Sequence, residues 1–336
     1  MISTRTRTRI LGSGSYLPAE RITNDDLVQK FGIQTSDAWI RERTGIGARH
    51  RAAPGEATSD MAAAAAREAL EMSGTKAEEL DFIIVGTVTP DMQFPSCAAF
   101  VQAKIGATKA ACFDIAAACA GSLYAISIAD GFIKSGQARR ILVIGAELLT
   151  GITDWTDRST CVLFGDAAGA LVLGPEDRPG HEDHGILSTH LYTDGTQTGI
   201  LCIPGGGSAH PFDAEVLAQR SMLVHMNGRE VYKIAVRSLE AASRHALEVN
   251  GKTVADVTHV VAHQANLRIL EHVMKRLEIP ISKCHMNIES VGNTSSASLP
   301  LTLDQASRAG ALKDGDLILM MAIGGGMTWG SALVRW

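Results

Sequence analysis

The chain has 336 residues, of which 46% are hydrophobic and 20% are charged, and its formal net charge is −5. This composition is typical of a globular protein with two domains or one large double domain. The net negative charge gives no reason to expect nucleic acid or an acidic membrane surface as a general partner. No apolar run is long enough to span a bilayer.

The six cysteines are scattered along the chain, and none of them forms a CxxC pair. This spacing favours neither a disulfide framework nor a zinc site. The N-terminal residues 1–9 lack the apolar core of a signal peptide. Together these features predict a cytoplasmic protein with reduced thiols.

The first predicted strand begins at Ile10 and leads into glycines at positions 12 and 14. The pattern is superficially similar to a dinucleotide-binding loop. However, the third glycine of that loop is missing, and Pro18 interrupts any following helix. A tight turn is the better interpretation.

The second predicted helix begins at Ser36-Asp37 and carries Trp39. Five basic residues follow closely: Arg41, Arg43, Arg49, His50 and Arg51. This cluster is either a solvated face around one buried tryptophan or a site for an adenine ring and phosphates. Further along, Ser59-Asp60 is predicted to cap an alanine-rich helix over 61–72, and residues 82–85 form an apolar strand of the buried parallel type.

Cys119 lies in a small-residue segment between an apolar run ending at Ile115 and an apolar helix that stops at Ser135-Gly136. This order predicts a sharp strand-to-helix turn with room for a substrate beside the sulfur. The amides and dipole of a helix start favour thiolate over thiol and can hold an oxyanion. The alternative is a buried structural thiol, the commoner state of a lone cysteine.

The second half of the chain repeats the plan of the first. Four pairs of segments correspond: 69–74 with 246–251, 82–85 with 259–262, 141–145 with 317–324, and 169–172 with 330–334. An internal duplication of βα units is the simplest account, and it predicts an α/β fold.

The segment 175–211 between the repeats is polar and rich in Gly, His and Asp. It is predicted to be a linker or an irregular insert. His181 and His184 within it resemble a metal-ligating pair. With no third ligand nearby in the sequence, they are expected to be solvated loop residues, and no metal site is predicted.

Active groups in αβ repeats collect on loops after the carboxyl ends of strands. Cys119 occupies such a loop in the first half, and His263 directly follows the strand 259–262 in the second. Asn293 lies in a glycine turn before a small-residue helix, where a cap or turn residue is the alternative. The glycines 324–326 follow another strand, and they either form a flexible turn or bring an amide close to a reacting carbonyl.

These motifs, in their order along the chain, resemble the 3-oxoacyl-[acyl-carrier-protein] synthase III family. The resemblance runs from Gly12 to Trp336, and it is carried by the segments 116–121, 263–268, 292–295 and 324–335. It implies a thiolase-like fold with duplicated βα halves in a five-layered αβαβα arrangement. The N-terminal half, 1–174, would hold the cysteine, and the C-terminal half, 175–336, would hold the histidine and asparagine.

The resemblance also implies a decarboxylating condensation of an acyl-CoA primer with malonyl-acyl carrier protein, which initiates type II fatty-acid synthesis. Acetyl-CoA is the expected primer. Cys119 would be the nucleophile, with the amides of Cys119 and Gly325 as the oxyanion hole. His263 and Asn293 would donate hydrogen bonds to the enolate left by the loss of CO2. No metal or resident cofactor is expected, because coenzyme A enters as part of a substrate.

Binding roles follow from the same resemblance. Trp39, Arg43 and Arg158 would bind coenzyme A, although Arg158 taken alone suggests a surface ion pair with Asp157. A basic face would dock the acidic carrier protein, and it comprises Lys233, Arg268, Lys275 and Arg276.

The resemblance assigns three more residues and a homodimer. Phe94 would close the acyl pocket across the dimer interface, where a bulky side chain favours a short primer. Ile323 stands where the family often has phenylalanine, which weakens any inference about primer length. Asn266 would orient His263.

Two other functions stay open. A relative diverted to secondary metabolism could use the same three residues on another primer or acceptor. A catalytically silent subunit that binds acyl carriers is a third reading, which the intact Cys119, His263 and Asn293 argue against. Thiolases are excluded because no second cysteine follows Gly324, and elongating condensing enzymes because Asn293 stands in place of their second histidine.

Overall fold

The computed structural model describes residues 7–336, so most of the N-terminal segment predicted to lack a signal peptide lies outside the described residues. Its strands are β1 Thr8–Tyr16, β2 Glu20–Thr23, β3 Ala48–Arg51, β4 Phe82–Gly86, β5 Ala111–Ile115, β6 Ile141–Glu147, β7 Ala167–Pro175, β8 Gly185–Thr193, β9 Leu201–Cys202, β10 His225–Met226, β11 His259–Ala262, β12 Cys284–His285, β13 Leu317–Gly324 and β14 Thr328–Arg335. Its α-helices are α1 Asn24–Gln29, α2 Asp37–Thr44, α3 Thr58–Ser73, α4 Cys97–Ile105, α5 Gly121–Lys134, α6 Ala214–Ala218, α7 Gly228–Val249, α8 Leu267–Leu277, α9 Ile288–Val291 and α10 Ser298–Arg308.

Two five-stranded sheets share one topology. The first has the order β1-β7-β6-β4-β5, and the second has the order β8-β14-β13-β11-β12. In each sheet the last three strands are parallel, and the first two pair antiparallel. Strand for strand, the sheets match the repeats seen in the sequence, which confirms the duplication.

The helices complete a five-layered arrangement. α5 and α10 lie between the two sheets and supply buried residues such as Leu123, Ile126 and Leu299 to the central core. α3 and α4 cover the outer face of the first sheet, and α7 and α8 cover the outer face of the second. Because α5 contacts both sheets, it is apolar on more than one side, as a buried helix must be. The predicted α/β, thiolase-like αβαβα fold is confirmed.

Gly12 and Gly14 do not form a turn. Both lie inside β1, where a Cβ on Gly12 would meet the Ser73 backbone nitrogen at 2.6 Å and one on Gly14 would meet the Ala65 carbonyl at 2.3 Å. The two glycines let the alanine-rich helix α3 pack directly on the strand backbone. The predicted tight turn is therefore wrong, because the reason for glycine is a long-range contact.

The segment 175–211 is not a structureless linker. It contains β8, which pairs with β14 along its length and forms an edge of the second sheet. The strand was not predicted because several of its side chains are polar. In the structure these side chains form hydrogen bonds with the helical layers: Thr189 bonds Ser127 of α5, and Ser188 accepts a hydrogen bond from Asn250 after α7. The boundary at 174/175 between two halves stays a prediction.

The start of α3 also differs from its prediction. The helix begins at Thr58, with Ala57 as the N-cap residue and Asp60 accepting a hydrogen bond from the Ala57 amide. Ser59 does not cap the helix, because its hydroxyl bonds Asp91 and receives a hydrogen bond from Lys104. Long-range polar partners outcompete the local cap here.

Two further observations bear on the cysteines and on membranes. All six cysteines are free thiols. Within residues 7–336, no helix has both the length and the apolar character needed to cross a membrane.

Candidate active site

Cys119 sits between β5 and α5 on a 3-10 turn that covers Ala118–Ala120. The turn begins at Ala118, whose φ of +45° lies in the left-handed region that costs an alanine roughly 1–3 kcal/mol. This strained residue reverses the chain, so that Cys119 comes to lie at the amino end of α5. The predicted strand-to-helix turn is confirmed.

The turn that carries Cys119 packs against Gly324, the last residue of β13. A Cβ on Gly324 would lie 2.4 Å from the backbone nitrogen of Cys119, so only glycine allows this approach. The contact also brings Gly325 to the sulfur. The backbones of Cys119 and Gly325 and the Ser295 side chain lie close enough to the thiol to influence its pKa. The two residues predicted for the oxyanion hole therefore lie beside the sulfur, and their role in holding an oxyanion stays a prediction.

The protonation of Cys119 differs from the expectation. Burial raises the pKa of its thiol to about 12, and the Glu147 carboxylate also raises it, while the Ser295 hydroxyl and the two amides act in the opposite direction. The expectation that the helix start favours thiolate is wrong for the free protein, because desolvation outweighs the donors. The sulfur must therefore lose its proton as it attacks.

Alkylation of Cys119 by iodoacetamide is expected to accelerate about tenfold per pH unit from about pH 7 to about pH 10, without a plateau. The sign follows from the raised pKa of Cys119: below it, each added pH unit multiplies the thiolate fraction by ten. Mass spectrometry of the Cys119 peptide measures the rate. Glu147→Gln removes a negative charge and should speed alkylation at fixed pH, whereas a plateau near pH 8 would contradict the burial argument.

His263 directly follows β11, and its backbone amide donates to the Met321 carbonyl at 2.8 Å. Burial lowers the pKa of the imidazole to about 4, against a smaller opposing effect of the Ser295 backbone. The ring is therefore neutral at neutral pH and can act as a hydrogen-bond donor or as a base. Its Nδ1 is buried and has no hydrogen-bond partner among residues 7–336.

Asn293 is held on both sides by its backbone. Its amide donates to the Leu163 carbonyl at 2.9 Å, and its carbonyl accepts from Gly165 at 3.0 Å. The side-chain Oδ1 accepts from the Ser295 amide at 2.9 Å. This bond engages the Oδ1 end of the amide group. Asn293 also lines the smaller cavity, and the donor of its side chain is Nδ2.

Glu147 is a residue that the sequence analysis missed. It ends β6, and its fully buried carboxylate accepts hydrogen bonds from Ser295 at 2.9 Å and Ser296 at 3.0 Å through Oε1. Oε2 accepts from Thr89 at 2.8 Å and from the Val88 amide at 3.1 Å. The carboxylate ties the Asn293 turn to the loop after β4. An acidic residue at the end of an otherwise apolar strand was the available signal.

Two cavities meet at Cys119. The smaller, about 120 Å³, also holds His263 and Asn293 in its wall and extends to Tyr232 of α7 and Ile269 of α8. The larger, about 410 Å³, is mostly apolar, and its wall includes Val88, Leu149, Ile152, Ile203 and Val224. Cys119 therefore lies between a narrow cavity lined by α7 and α8 and a wider, mostly apolar cavity that is open to solvent in the single chain.

The two residues predicted for the acyl pocket lie in different surroundings. Ile323 is buried and lines the smaller cavity with His263, in the position that the resemblance implies. Phe94 is 83% exposed and lines neither cavity of the single chain, so its predicted role across a dimer interface stays a prediction. Within the single chain, the wall of the larger cavity comes from scattered loops, which no local pattern reveals.

Trp39, Arg43 and Arg158 come together as predicted. The guanidinium carbons of Arg43 and Arg158 lie 4.6 and 4.7 Å from the centroid of the Trp39 ring, within cation–π range. Arg158 does not pair with Asp157, because its Nη1 donates to the Gln34 carbonyl at 3.0 Å.

The other basic residues near Trp39 in the sequence are engaged elsewhere. Arg41 pairs with Asp37 and Glu289, and Arg51 pairs with Glu20. Arg49 is fully buried and donates to the Val162 carbonyl. The basic cluster around Trp39 is therefore smaller than the proximity of these residues in the sequence suggests.

Asn266 does not bond His263. Its side chain caps α8 by accepting from the Arg268 amide at 2.9 Å, and its Nδ2 donates to the Arg43 carbonyl at 3.1 Å. The predicted orienting role is therefore replaced by a different one: Asn266 ties α2, which carries Trp39, to the helix that follows His263.

The predicted basic face is only partly free. Lys233 pairs with Glu230, and Arg276 pairs with Glu240. Arg268 and Lys275 are exposed, and the described part of the chain offers neither of them an ion pair. Both free cations lie on α8, whose opposite face is buried through Leu270, Met274 and Leu277 as the helical spacing predicts.

Comparisons with known proteins show which family this chain belongs to. Residues 113–195 match the sequence model described as 3-oxoacyl-[acyl-carrier-protein] synthase III, and residues 247–336 match that of its C-terminal part. The beta-ketoacyl-[acyl-carrier-protein] synthase III of Rhodospirillum centenum is 50% identical over 98% of this chain and 99% of its own. The chain belongs to the 3-oxoacyl-[acyl-carrier-protein] synthase III family.

Solved structures of the family extend the similarity to the fold. The synthase III of Aquifex aeolicus is 46% identical and has a TM-score of 0.89, over 98% of this chain and 100% of that one. A priming beta-ketosynthase of a polyketide pathway is 37% identical with a TM-score of 0.89, over 98% and 96% of the two chains. Membership of this family makes the chain an acyltransferase-type condensing enzyme.

Proposed function

We propose that this synthase III condenses an acyl-CoA primer with malonyl-acyl carrier protein, releases CO2 and gives 3-oxoacyl-acyl carrier protein. Acetyl-CoA is the expected primer, and the reaction initiates fatty-acid synthesis. The observation that carries the proposal is the convergence of Cys119, His263 and Asn293 on one cavity, with the backbones of Cys119 and Gly325 beside the sulfur.

In the first step, Cys119 attacks the thioester carbonyl of the primer. Because burial keeps the sulfur protonated, neutral His263 in the same cavity takes the proton and passes it to the departing coenzyme A thiolate. The amides of Cys119 and Gly325 hold the oxyanion and are worth about 3 kcal/mol each. The acyl group remains on the sulfur, and His263 is neutral again.

In the second step, malonyl-acyl carrier protein enters and loses CO2. The electron pair of the broken C–C bond forms an enolate on the thioester oxygen. Nδ2 of Asn293 and an N–H of His263 donate hydrogen bonds to that oxygen. The carbanion then attacks the Cys119 thioester, and the C–S bond breaks as the new C–C bond forms. The released Cys119 thiolate takes up one proton from solvent and returns to the thiol.

Coenzyme A and the acyl carrier protein would both approach from the side of the molecule that carries α2 and α8. Trp39 with Arg43 and Arg158 suits the adenine ring and phosphates of coenzyme A, because a planar ring and two cations lie together. The exposed cations Arg268 and Lys275 suit an acidic carrier protein at the mouth of the smaller cavity. Lys233 and Arg276 would have to exchange their present carboxylate partners to join them.

A homodimer is part of the proposal. The large apolar side chains that are exposed in the single chain include Met92 at 50%, Phe94 at 83% and Phe212 at 61%, and Met92 and Phe212 line one surface cavity. Exposed apolar groups of this kind are typical of a protein interface, and a second copy would cover them. The free thiols are consistent with the reducing environment of the cytoplasm, which is the proposed location.

A diversion to secondary metabolism is the second candidate. It is supported by the size of the apolar cavity, about 410 Å³, which exceeds what an acetyl group needs. The similarity to a polyketide-priming enzyme points the same way. A catalytically silent carrier-binding subunit has no comparable support, because the three reactive side chains are present and share one cavity.

A panel of acyl-CoAs is expected to show transfer of acetyl to Cys119 and, with malonyl-acyl carrier protein, formation of acetoacetyl-acyl carrier protein. Intact-protein mass spectrometry follows both steps, and Cys119→Ala should lose both. Cys112→Ala is the matched control, because that partly buried thiol lines neither cavity. Transfer only of longer or unusual primers would support the secondary-metabolism candidate, and no acylation by any primer would overturn the proposal.

A further inference from the structure

His181, His184 and Asp314 form a cluster outside the active site. The two histidines lie one turn apart between β7 and β8, and the His184 amide donates to the His181 carbonyl at 2.9 Å. Asp314 comes from the loop between α10 and β13. The Nε2 atoms of His181 and His184 lie 3.5 and 3.6 Å from the same oxygen, Oδ2 of Asp314.

These separations match those between metal ligands. With zinc bonds of about 2.0–2.1 Å in a tetrahedron, neighbouring ligand atoms lie about 3.3 Å apart. One suitable atom from each of the three side chains lies within 4.8 Å of the others. By contrast, 3.5 Å is long for a hydrogen bond between an imidazole and a carboxylate.

The Nδ1 atoms of His181 and His184, which face away from Asp314, already have hydrogen-bond partners. Nδ1 of His184 lies 2.9 Å from the Asp183 carboxylate, and Nδ1 of His181 lies 3.1 Å from the Pro179 carbonyl. This is the supporting arrangement usual for metal-binding histidines, because it fixes the tautomer and points Nε2 at the ion. The second oxygen of Asp314 faces Arg178 at 3.4 Å, which leaves Oδ2 for a ligand.

A second observation indicates that a ligand is missing from this cluster. Nε2 of His184 is shielded from solvent, and it makes no hydrogen bond with any part of the chain between residues 7 and 336. The His184 side chain is only 12% exposed, so the expectation of a solvated loop residue is wrong. A buried nitrogen without a partner is costly unless something binds it.

We infer that His181, His184 and Asp314 form a binding site for a divalent transition metal of the zinc class, with water in the fourth position. None of the three lines a cavity at Cys119. The metal would instead fasten the connection between the two sheets to the loop after the central helix α10. Its effect is therefore on stability, and it is independent of the proposed condensation.

Metal-free protein, prepared with a chelator and dialysed, is expected to bind one Zn²⁺ at this cluster and to unfold at a higher temperature with Zn²⁺ than without it. His184→Ala and Asp314→Asn should each weaken zinc binding at least tenfold, and Asp183→Asn should weaken it about tenfold. Isothermal titration gives the affinities, and Co²⁺ absorption reports a tetrahedral site with nitrogen and oxygen ligands.

The exposed His210 provides the matched control, because His210→Ala removes a surface imidazole without touching the cluster. Acylation of the Cys119 thiol should be the same in all variants. Circular dichroism verifies that each variant is folded. Equal zinc affinity in wild type and His184→Ala, a cobalt spectrum with thiolate bands, or no zinc-dependent rise in unfolding temperature would overturn the inference.

Discussion

Asn293→Ala is expected to keep acylation of Cys119 but to lose condensation by about 100-fold to 1,000-fold. The reason is that Nδ2 of Asn293 meets charge only when decarboxylation places it on the thioester oxygen. Acyl transfer to the sulfur relies on the amides of Cys119 and Gly325 instead. His263→Ala should lose condensation to a similar degree, and it should also slow acylation because the proton acceptor is gone. Single-turnover mass spectrometry separates the two steps.

Two further variants distinguish a donor role of Asn293 from a structural one. Asn293→Asp keeps an oxygen to accept from the Ser295 amide but replaces the donor, so it should be as poor in condensation as the alanine variant. Asn287→Ala removes another buried asparagine, which bonds Gln305 and lines neither cavity. It should leave the ratio of condensation to acylation unchanged. Full condensation by Asn293→Asp would refute the donor role.

Gly324→Ala is expected to reduce acylation of Cys119 by about 100-fold or more, because its Cβ would lie 2.4 Å from the Cys119 nitrogen and 3.1 Å from the Ala120 nitrogen. Both contacting atoms are backbone nitrogens, so neither can move away by a rotamer change as a flexible side chain could. The turn must shift, and with it one amide of the oxyanion hole. Overpacking of this kind also costs about 1–3 kcal/mol of unfolding free energy. Acylation rates and thermal unfolding measure the two effects.

The matched control for Gly324→Ala is Gly131→Ala in α5, where an added Cβ meets nothing within 4 Å. Gly131 is an exposed residue within the otherwise largely buried α5, so alanine should leave acylation unchanged and stabilise the protein by about 0.5–1 kcal/mol. If Gly324→Ala were as active and as stable as Gly131→Ala, the close contact between β13 and the Cys119 turn would not matter for catalysis.

Much of the fold was predictable because its signals are local. Apolar runs such as 82–85 and 141–145 mark buried parallel strands, and the repeat of this pattern in the second half predicts two equivalent sheets. Cys119 and His263 were identifiable because each lies in the connection that follows a predicted strand. These inferences need only the periodicity of a few neighbouring residues.

The surroundings of each site residue were not predictable in the same way. Burial against other elements reverses the expected ionisation of Cys119, and the partners of Glu147 come from the loop after β4 and from the turn at Ser295. Asn266 was assigned to His263 but binds Arg43 instead. Each error concerns a contact between residues far apart in the chain.

The amino-acid sequence by itself determined the duplicated α/β plan, since this depends on patterns repeated over short segments. It also placed Cys119, His263 and Asn293 in the connections between predicted elements, and the family resemblance gave them their proposed catalytic roles. Only the tertiary structure decided that β8 completes a sheet, that Gly324 admits the Cys119 turn, and that Asp314 meets the two histidines near β8. The physical reason is that close packing and burial act between distant segments. They set which polar groups are satisfied and which are left available for a ligand.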